Sequence, residues 1–280
     1  MFTLNVKGKL LTAHRPLVMG IINRAADSFY SGSRFPDNEA LLQQVEKMVQ
    51  EGADLLDIGG QSSRPGAEQV GEEEELRRVV DAIDGIHRRW PDLPLSIDTW
   101  YARVASEAVA AGASIVNDIS GGVLDADMLS TVGRLRVPYI CMHMKGTPAT
   151  MNQQAIYDNL TREVLDFFIR RIEDCRKAGI LDVILDPGLG FAKTAAHNFE
   201  ILHHLGIFQM TGKPILIGIS RKSTIYKPLG ITPEQALNGT TVLNTVALLH
   251  GANILRVHDP KEAKEAITLI EAYKSKNPDR

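Results

Sequence analysis

The chain reads as an α/β protein, a single (β/α)8 or TIM barrel with a short N-terminal hairpin. Short apolar segments recur eight times, helical patterns separate them, and the segments are near-continuously apolar rather than alternating. Strands covered on both faces read this way. Eight strand–helix units in 280 residues match the usual length of such a barrel.

In chain order, the residues before Leu17 are read as a small hairpin across the barrel bottom. The first strand is LVMGI (17–21). The helix NEALLQQVEKMVQEG follows, with Leu41, Leu42, Val45, Met48 and Val49 on one stripe and a stop at Gly52. LLDIG (55–59) is the second strand, and the helix EEEELRRVVDAIDGIHRR opens with acids that suit the positive end of its dipole. LSID (95–98), a helix at 101–111, SIVND (114–118) and PYICMH (138–143) come next. A long helix is predicted over 152–178, with Ile156, Leu160, Val164, Phe168 and Ile172 four apart and Gly179 as its C-terminal cap. VILDP (183–187), ILIGIS (215–220) and NILRVH (253–258) complete the strands, with helices at 196–206, 234–250 and 260–275. A doubly wound open sheet would show a Gly-rich fingerprint after its first strand, and GIINRA is none. No linker or low-complexity tract divides the chain, so residues 1–280 form one domain.

A net charge of −3 with 23% charged residues argues against a broad nucleic-acid face. No apolar run approaches the roughly 18 residues of a membrane span, and the N-terminus lacks the order of a signal peptide. Cys141 and Cys175 fall on different elements, which suits a reducing compartment. A cytoplasmic protein with no membrane or nucleic-acid partner is expected.

Chemistry in such barrels sits where strands run into helices. Asn23 follows the first strand, Asp57 ends the second, Asp98 the third, Asn117 and Asp118 the fourth, His143 the fifth and Asp186 the sixth. Arg221 and Lys222 follow the seventh, while Arg256 and His258 close the eighth. One such acid is ordinarily a helix cap, and a lone His143 is ordinarily a satisfied core residue. A whole ring aimed into one mouth is different, because buried charges need partners. Acids on the early strands and cations on the last predict a ligand with a donor-rich heterocycle and an anionic group.

The segments MGIINRAADSF, DIGGQSSRPG, SIDT, IVNDISGG, ILDPGLGF, GISRKS and LRVHD, spanning about 17–259, resemble in order and spacing the signatures of the dihydropteroate synthase family. That family condenses 4-aminobenzoate with 6-hydroxymethyl-7,8-dihydropterin pyrophosphate, with Mg²⁺ on the leaving group. The resemblance implies that Asp98, Asn117, Asp186 and Lys222 bind the pterin, with Phe191 and Met144 packing near its ring. It implies that Asn23 holds the metal, Asn23, Arg256 and His258 hold the pyrophosphate, and Ser223 meets the aminobenzoate carboxylate. Phe29 and the loop residues Ser63, Arg64 and Pro65 would close over the site, with Asp27, Ser63, Arg64, Lys222, Arg256 and His258 as catalytic candidates. A homodimer through the late helices is implied as well.

Two loops depart from the family pattern. The usual Thr-Pro of the first loop is Ala25-Ala26 and a usual Asp is Ser31, while Gln61 and Ser63 replace Glu and Thr in the second. Loss of proline raises the entropy of an unordered loop, at a cost of roughly 0.4–1 kcal/mol on ordering. The rival expectations are a non-catalytic or slow pterin-binding paralogue and a methyltetrahydrofolate-dependent methyltransferase. The latter has no pyrophosphate to hold.

Overall fold

The computed structural model describes residues 1–24, 34–61 and 69–275, with the backbone alone at 34–37 and 152. Strands β1 (Phe2–Val6) and β2 (Lys9–Ala13) pair antiparallel, Phe2 opposite Ala13 and Val6 opposite Lys9. Lys7 and Gly8 both take positive φ (53° and 86°), the conformation that a two-residue hairpin turn demands.

Eight parallel strands follow: β3 (Leu17–Asn23), β4 (Leu55–Gly59), β5 (Leu95–Asp98), β6 (Ile115–Asp118), β7 (Tyr139–Met142), β8 (Val183–Asp186), β9 (Leu216–Ile217) and β10 (Ile254–Val257). The sheet runs β8-β7-β6-β5-β4-β3-β10-β9. Its two edges meet through a parallel bridge between Leu185 and Ile215, in which the Leu185 N–H donates to the Pro214 carbonyl at 2.9 Å. The expected barrel is present, closed at this seam by few bonds.

Helices α1 (Arg34–Gln50), α2 (Glu72–Arg89), α3 (Ala102–Ala111), α4 (Met128–Leu135), α5 (Leu160–Lys177), α6 (Ala195–His203), α7 (Ser223–Leu229), α8 (Leu237–Leu249) and α9 (Pro260–Ser275) link the strands. Their buried stripes pack on the outer faces of the strands, as Val45, Val79, Ile83 and Phe168 do in the larger core. Short α4 and α7 escape the sequence reading, and α7 carries Pro228.

The predicted helix over 152–178 is corrected. It begins at Leu160, where the Asn159 side chain accepts the Arg162 N–H and caps the first turn. Ile156 lies before the cap and is 76% exposed, so it is not part of the buried stripe. Gly179 ends the helix at φ 84° as expected.

The barrel lumen is layered. Leu17, Met19, Leu55, Ile115, Ile140, Ile184, Leu216 and Ile254 form an apolar floor, against which Leu4, Ala13, Phe2, Val6 and Leu11 of the hairpin pack. The hairpin therefore plugs the bottom. Two residues further along the strands, on the same face, the floor gives way to Asp57, Asn117, Asp186 and Arg256. Four of the eight strands, β4, β6, β8 and β10, thus supply first packing and then chemistry.

Candidate active site

Polar side chains cross the lumen between strands that are not neighbours. Arg256 on β10 donates from Nε to Asp57 Oδ2 on β4 and from Nη2 to Asp98 Oδ2 on β5, each at 2.6 Å. Asn117 on β6 donates to the same Asp57 oxygen at 2.9 Å. Asp57 is fully buried, and among the described residues its Oδ1 has no hydrogen-bond partner. Such an acceptor is costly unless a donor reaches it.

Asp186 ends β8, and its Oδ1 accepts the Gly188 N–H at 2.8 Å. Lys222, just before α7, donates to the Leu189 carbonyl at 2.5 Å, and its ammonium lies 4.7 Å from the Phe191 ring centroid. Phe191 and Met144, the two residues expected at the ring, belong to one apolar cluster with Trp100, Ile119, Met142 and Met151. The loop after β8 is tight: at Gly188 (φ 69°) a Cβ would stand 2.1 Å from the His143 carbonyl oxygen. Only glycine fits there.

Burial dominates the acid–base behaviour of the mouth. It pushes Asp98 up to about 7 against the opposing pull of Arg256, and it raises Asp186 against Lys222, the Gly188 N–H and Arg256. Burial also lowers Lys222 to about 8, with Asp186 working the other way. Asp57, Asp98 and Asp186 are matched in number by Arg256, Lys222 and Lys193, so the mouth is nearly neutral when all are ionised.

An open cavity of about 730 Å³ lies above this network. Asn23, Gly59, Asp98, Phe191, Ser220, Lys222, Ser223, Arg256 and His258 all line it. His258 Nδ1 and the Ser220 hydroxyl are 3.0 Å apart. Arg221 sits on the rim at φ 55°, in a bidentate pair with Asp259 at 2.8 and 2.9 Å.

Not every residue of the predicted ring enters the mouth. Asp118 points to the helix side, where it accepts the Ser120 and Gly122 N–H groups and the Tyr139 hydroxyl. Adjacent strand residues face opposite ways, so Asn117 takes the lumen and Asp118 a structural post. His143 is buried against Phe167 and Tyr157. Asp27, Phe29, Ser63, Arg64 and Pro65, with the altered positions Ala25, Ala26 and Ser31, lie outside the described residues.

Two features were missed from sequence. Lys193 reaches the cavity wall from the loop after β8, and a lysine in a glycine-rich loop following a barrel strand was the available signal. Gln61 donates to the buried Glu75 at 2.5 Å, and burial pushes that carboxyl up to about 8. Nothing in the α2 pattern marked Glu75 apart from its acidic neighbours.

A family profile described as Pterin binding enzyme matches residues 19–258. The dihydropteroate synthase of Synechocystis is 41% identical, over 92% of this chain and 90% of its own. The chain belongs to the dihydropteroate synthase family. Among solved structures, the Yersinia pestis dihydropteroate synthase with a sulfonamide drug superposes with a TM-score of 0.91 at 40% identity, covering 98% of this chain and 100% of that one. The Xanthomonas albilineans enzyme with 4-aminobenzoic acid gives 0.89 at 40% identity, covering 97% and 98%.

Proposed function

We propose that this chain is a transferase that condenses 4-aminobenzoate with 6-hydroxymethyl-7,8-dihydropterin pyrophosphate, giving 7,8-dihydropteroate and pyrophosphate. The observation that carries the reading is the lumen network joining Asp57, Asp98, Asn117 and Arg256 beneath one cavity. A heterocycle edge that mixes donors and acceptors suits such a set, and an anionic tail suits the cations on the last strands.

Asp186 is the anchor. When ionised it accepts two parallel hydrogen bonds from the pterin amino group and its neighbouring ring N–H, which neither Asn nor Lys can do. Each such bond contributes roughly 1.5–3 kcal/mol. Asn117, Asp98 and Lys222 serve the other polar atoms of the ring, with Phe191 and Met144 against its faces. Arg256 and His258 receive the pyrophosphate, the guanidinium fork matching phosphate geometry better than an ammonium. Ser223 meets the aminobenzoate carboxylate.

Mg²⁺ fits this donor set sparingly. Among the described residues no three His, Cys, Asp or Glu gather as a cage, but Asn23 offers a hard amide oxygen on the cavity wall. Mg²⁺ keeps waters and draws on substrate phosphates, so one protein oxygen suffices. When bound, it offsets charge on the departing pyrophosphate.

The substitution is largely dissociative. The methylene C–O bond breaks, the pyrophosphate leaves with the electron pair, and the arylamine nitrogen captures the carbon and then loses a proton. Arg256 and His258 stabilise the charge that develops on the leaving group. Absence of positional-isotope scrambling in the pterin pyrophosphate, without aminobenzoate, would count against this order.

The deciding experiment measures pyrophosphate release with dihydropterin pyrophosphate and Mg²⁺, with and without 4-aminobenzoate. Release that depends on aminobenzoate and yields dihydropteroate supports the synthase. Tight pterin binding without release supports a non-catalytic paralogue, with the altered loops as the cause. Sulfonamides should compete with aminobenzoate, as inhibition constants would show.

Val242 and Leu249 of α8 and Leu269 and Tyr273 of α9 are exposed apolar side chains, and they support a homodimer through the late helices. Sedimentation at micromolar concentration tests it. Cys141 and Cys175 are both buried and unbridged, which supports the cytoplasmic location, and cell fractionation tests that.

A further inference from the structure

Lys193 is a buried cation of the mouth to which the proposed function gives no task. Its side chain is buried, yet among the described residues no carboxylate bonds to it. Its ammonium has three neutral acceptors instead: His143 Nδ1 at 2.9 Å, the Phe191 carbonyl at 3.1 Å and the His143 carbonyl at 3.4 Å. An ammonium has three protons to give, so this set matches its capacity. The three acceptors lie on two segments, the end of β7 and the loop after β8. That loop also carries Gly188, pressed against the same His143 carbonyl, and Ala192 at φ 48°. A buried cation without a paired anion is expensive, which argues that its charge is used.

We propose that Lys193 is a positioning residue for pterin recognition: its ammonium ties the Phe191 backbone to His143 and presents a positive charge to Asp186. This rests on the pterin-binding reading and deepens it. The lysine orients the aromatic wall and keeps the Asp186 carboxylate ionised in a place where burial favours the proton. Asp186 is faced by Lys222, Arg256, Lys193 and the Gly188 N–H, all of which favour its charged form. Lys193 is faced by Asp186, which favours the ammonium, and by Lys222 and Lys145, which oppose it, with His143 in direct contact. Burial brings Lys193 down to about 7, so its charge is fullest below neutrality, where Asp186 most needs it.

The sign follows. Removing the ammonium raises the proton affinity of Asp186, so the acidic limb of pterin binding moves to higher pH. The test is calorimetric titration of wild type, K193M and K193R with 6-hydroxymethyl-7,8-dihydropterin pyrophosphate and Mg²⁺ from pH 5 to 8.5, with the KM for aminobenzoate measured beside it. Expected for K193M is at least tenfold weaker pterin binding at pH 6, a smaller loss at pH 8, and an aminobenzoate KM within twofold. K193R should keep the wild-type pH profile. H143L removes one acceptor while keeping the lysine, and should weaken pterin binding in the same direction if K193M does not fold. Pterin binding by K193M that matches wild type, or a loss equal at every pH and equal in K193R, overturns the proposal. Failure of the wild type to bind the pterin at any pH overturns the functional reading itself.

Discussion

The floor and the mouth of this barrel are built from the same strands, one step of alternation apart. Ile184 and Asp186 on β8, Ile254 and Arg256 on β10, and Leu55 and Asp57 on β4 are pairs in which the first residue packs in the floor and the second belongs to the polar layer above it. The floor is closed on both sides, by the hairpin below and the network above. The mouth gathers Asp57, Asp98 and Asp186 with Arg256, Lys222 and Lys193, and among the described residues Asp57 Oδ1 is left without a partner. A barrel can therefore separate stability from chemistry within one strand, and a polar mouth is tolerable because the layer beneath it needs nothing from it.

Substitutions can break that separation. The largest effect is expected for Asp186→Asn. Loss of two charge-assisted bonds should reduce kcat/KM for the pterin substrate by about 10²–10⁴-fold. Its melting temperature should fall modestly, since Lys222 and Lys193 lose the anion that faces them. Pyrophosphate-release kinetics and a thermal melt check both halves.

Ile184→Ala, two residues earlier, should do the reverse. A truncated floor residue costs about 2–5 kcal/mol in denaturant unfolding, while folded enzyme keeps near wild-type kcat/KM. A loss of activity comparable to that of Asp186→Asn in folded protein would show that the layers are not independent.

Glu75 tests the rim of the comparison. Its carboxyl is held protonated up to about 8, against an ordinary 4.5 in the unfolded chain. Between those values the native state binds the extra proton, so stability falls as pH rises, at up to about 1.4 kcal/mol per pH unit. Glu75→Gln should flatten this slope, leaving the variant nearer to wild type at pH 5 than at pH 8 in urea titrations. The smallest effect belongs to Lys9→Ala. Its 2.6 Å pair with Asp92 is 70% and 88% exposed, and no measurable change in melting temperature is expected.

Much of this was legible in the sequence, for particular reasons. Fully apolar runs ending in Asp, Asn or Arg marked the strands and the ring, because a strand covered on both faces needs such a run and many such ends around one barrel point to a site. LLDIG and LSID coincide with β4 and β5. Facing was less visible: Asn117 and Asp118 look equivalent in SIVND, and their split appears only once register is known. Asn159 was overlooked as a helix start because the apolar spacing ran through it. β9 is only two residues long although ILIGIS reads as six, since a strand's extent is set by its neighbours' hydrogen bonds. Lys193 was hidden because its partners are backbone carbonyls and a distant histidine.

The seam between β8 and β9 gives the molecule a hinge line. Among the described residues a single parallel bridge, to which the Leu185 N–H bond to Pro214 belongs, joins the two edges there, with Asp186 just above it on one side and Lys222 on the other. A ligand gripped by both residues acts as a stitch across the gap. Amide protons around Leu185 and Ile217 should then exchange with solvent more slowly once the pterin is bound, while those of β4 and β5, already paired on both flanks, should hardly change.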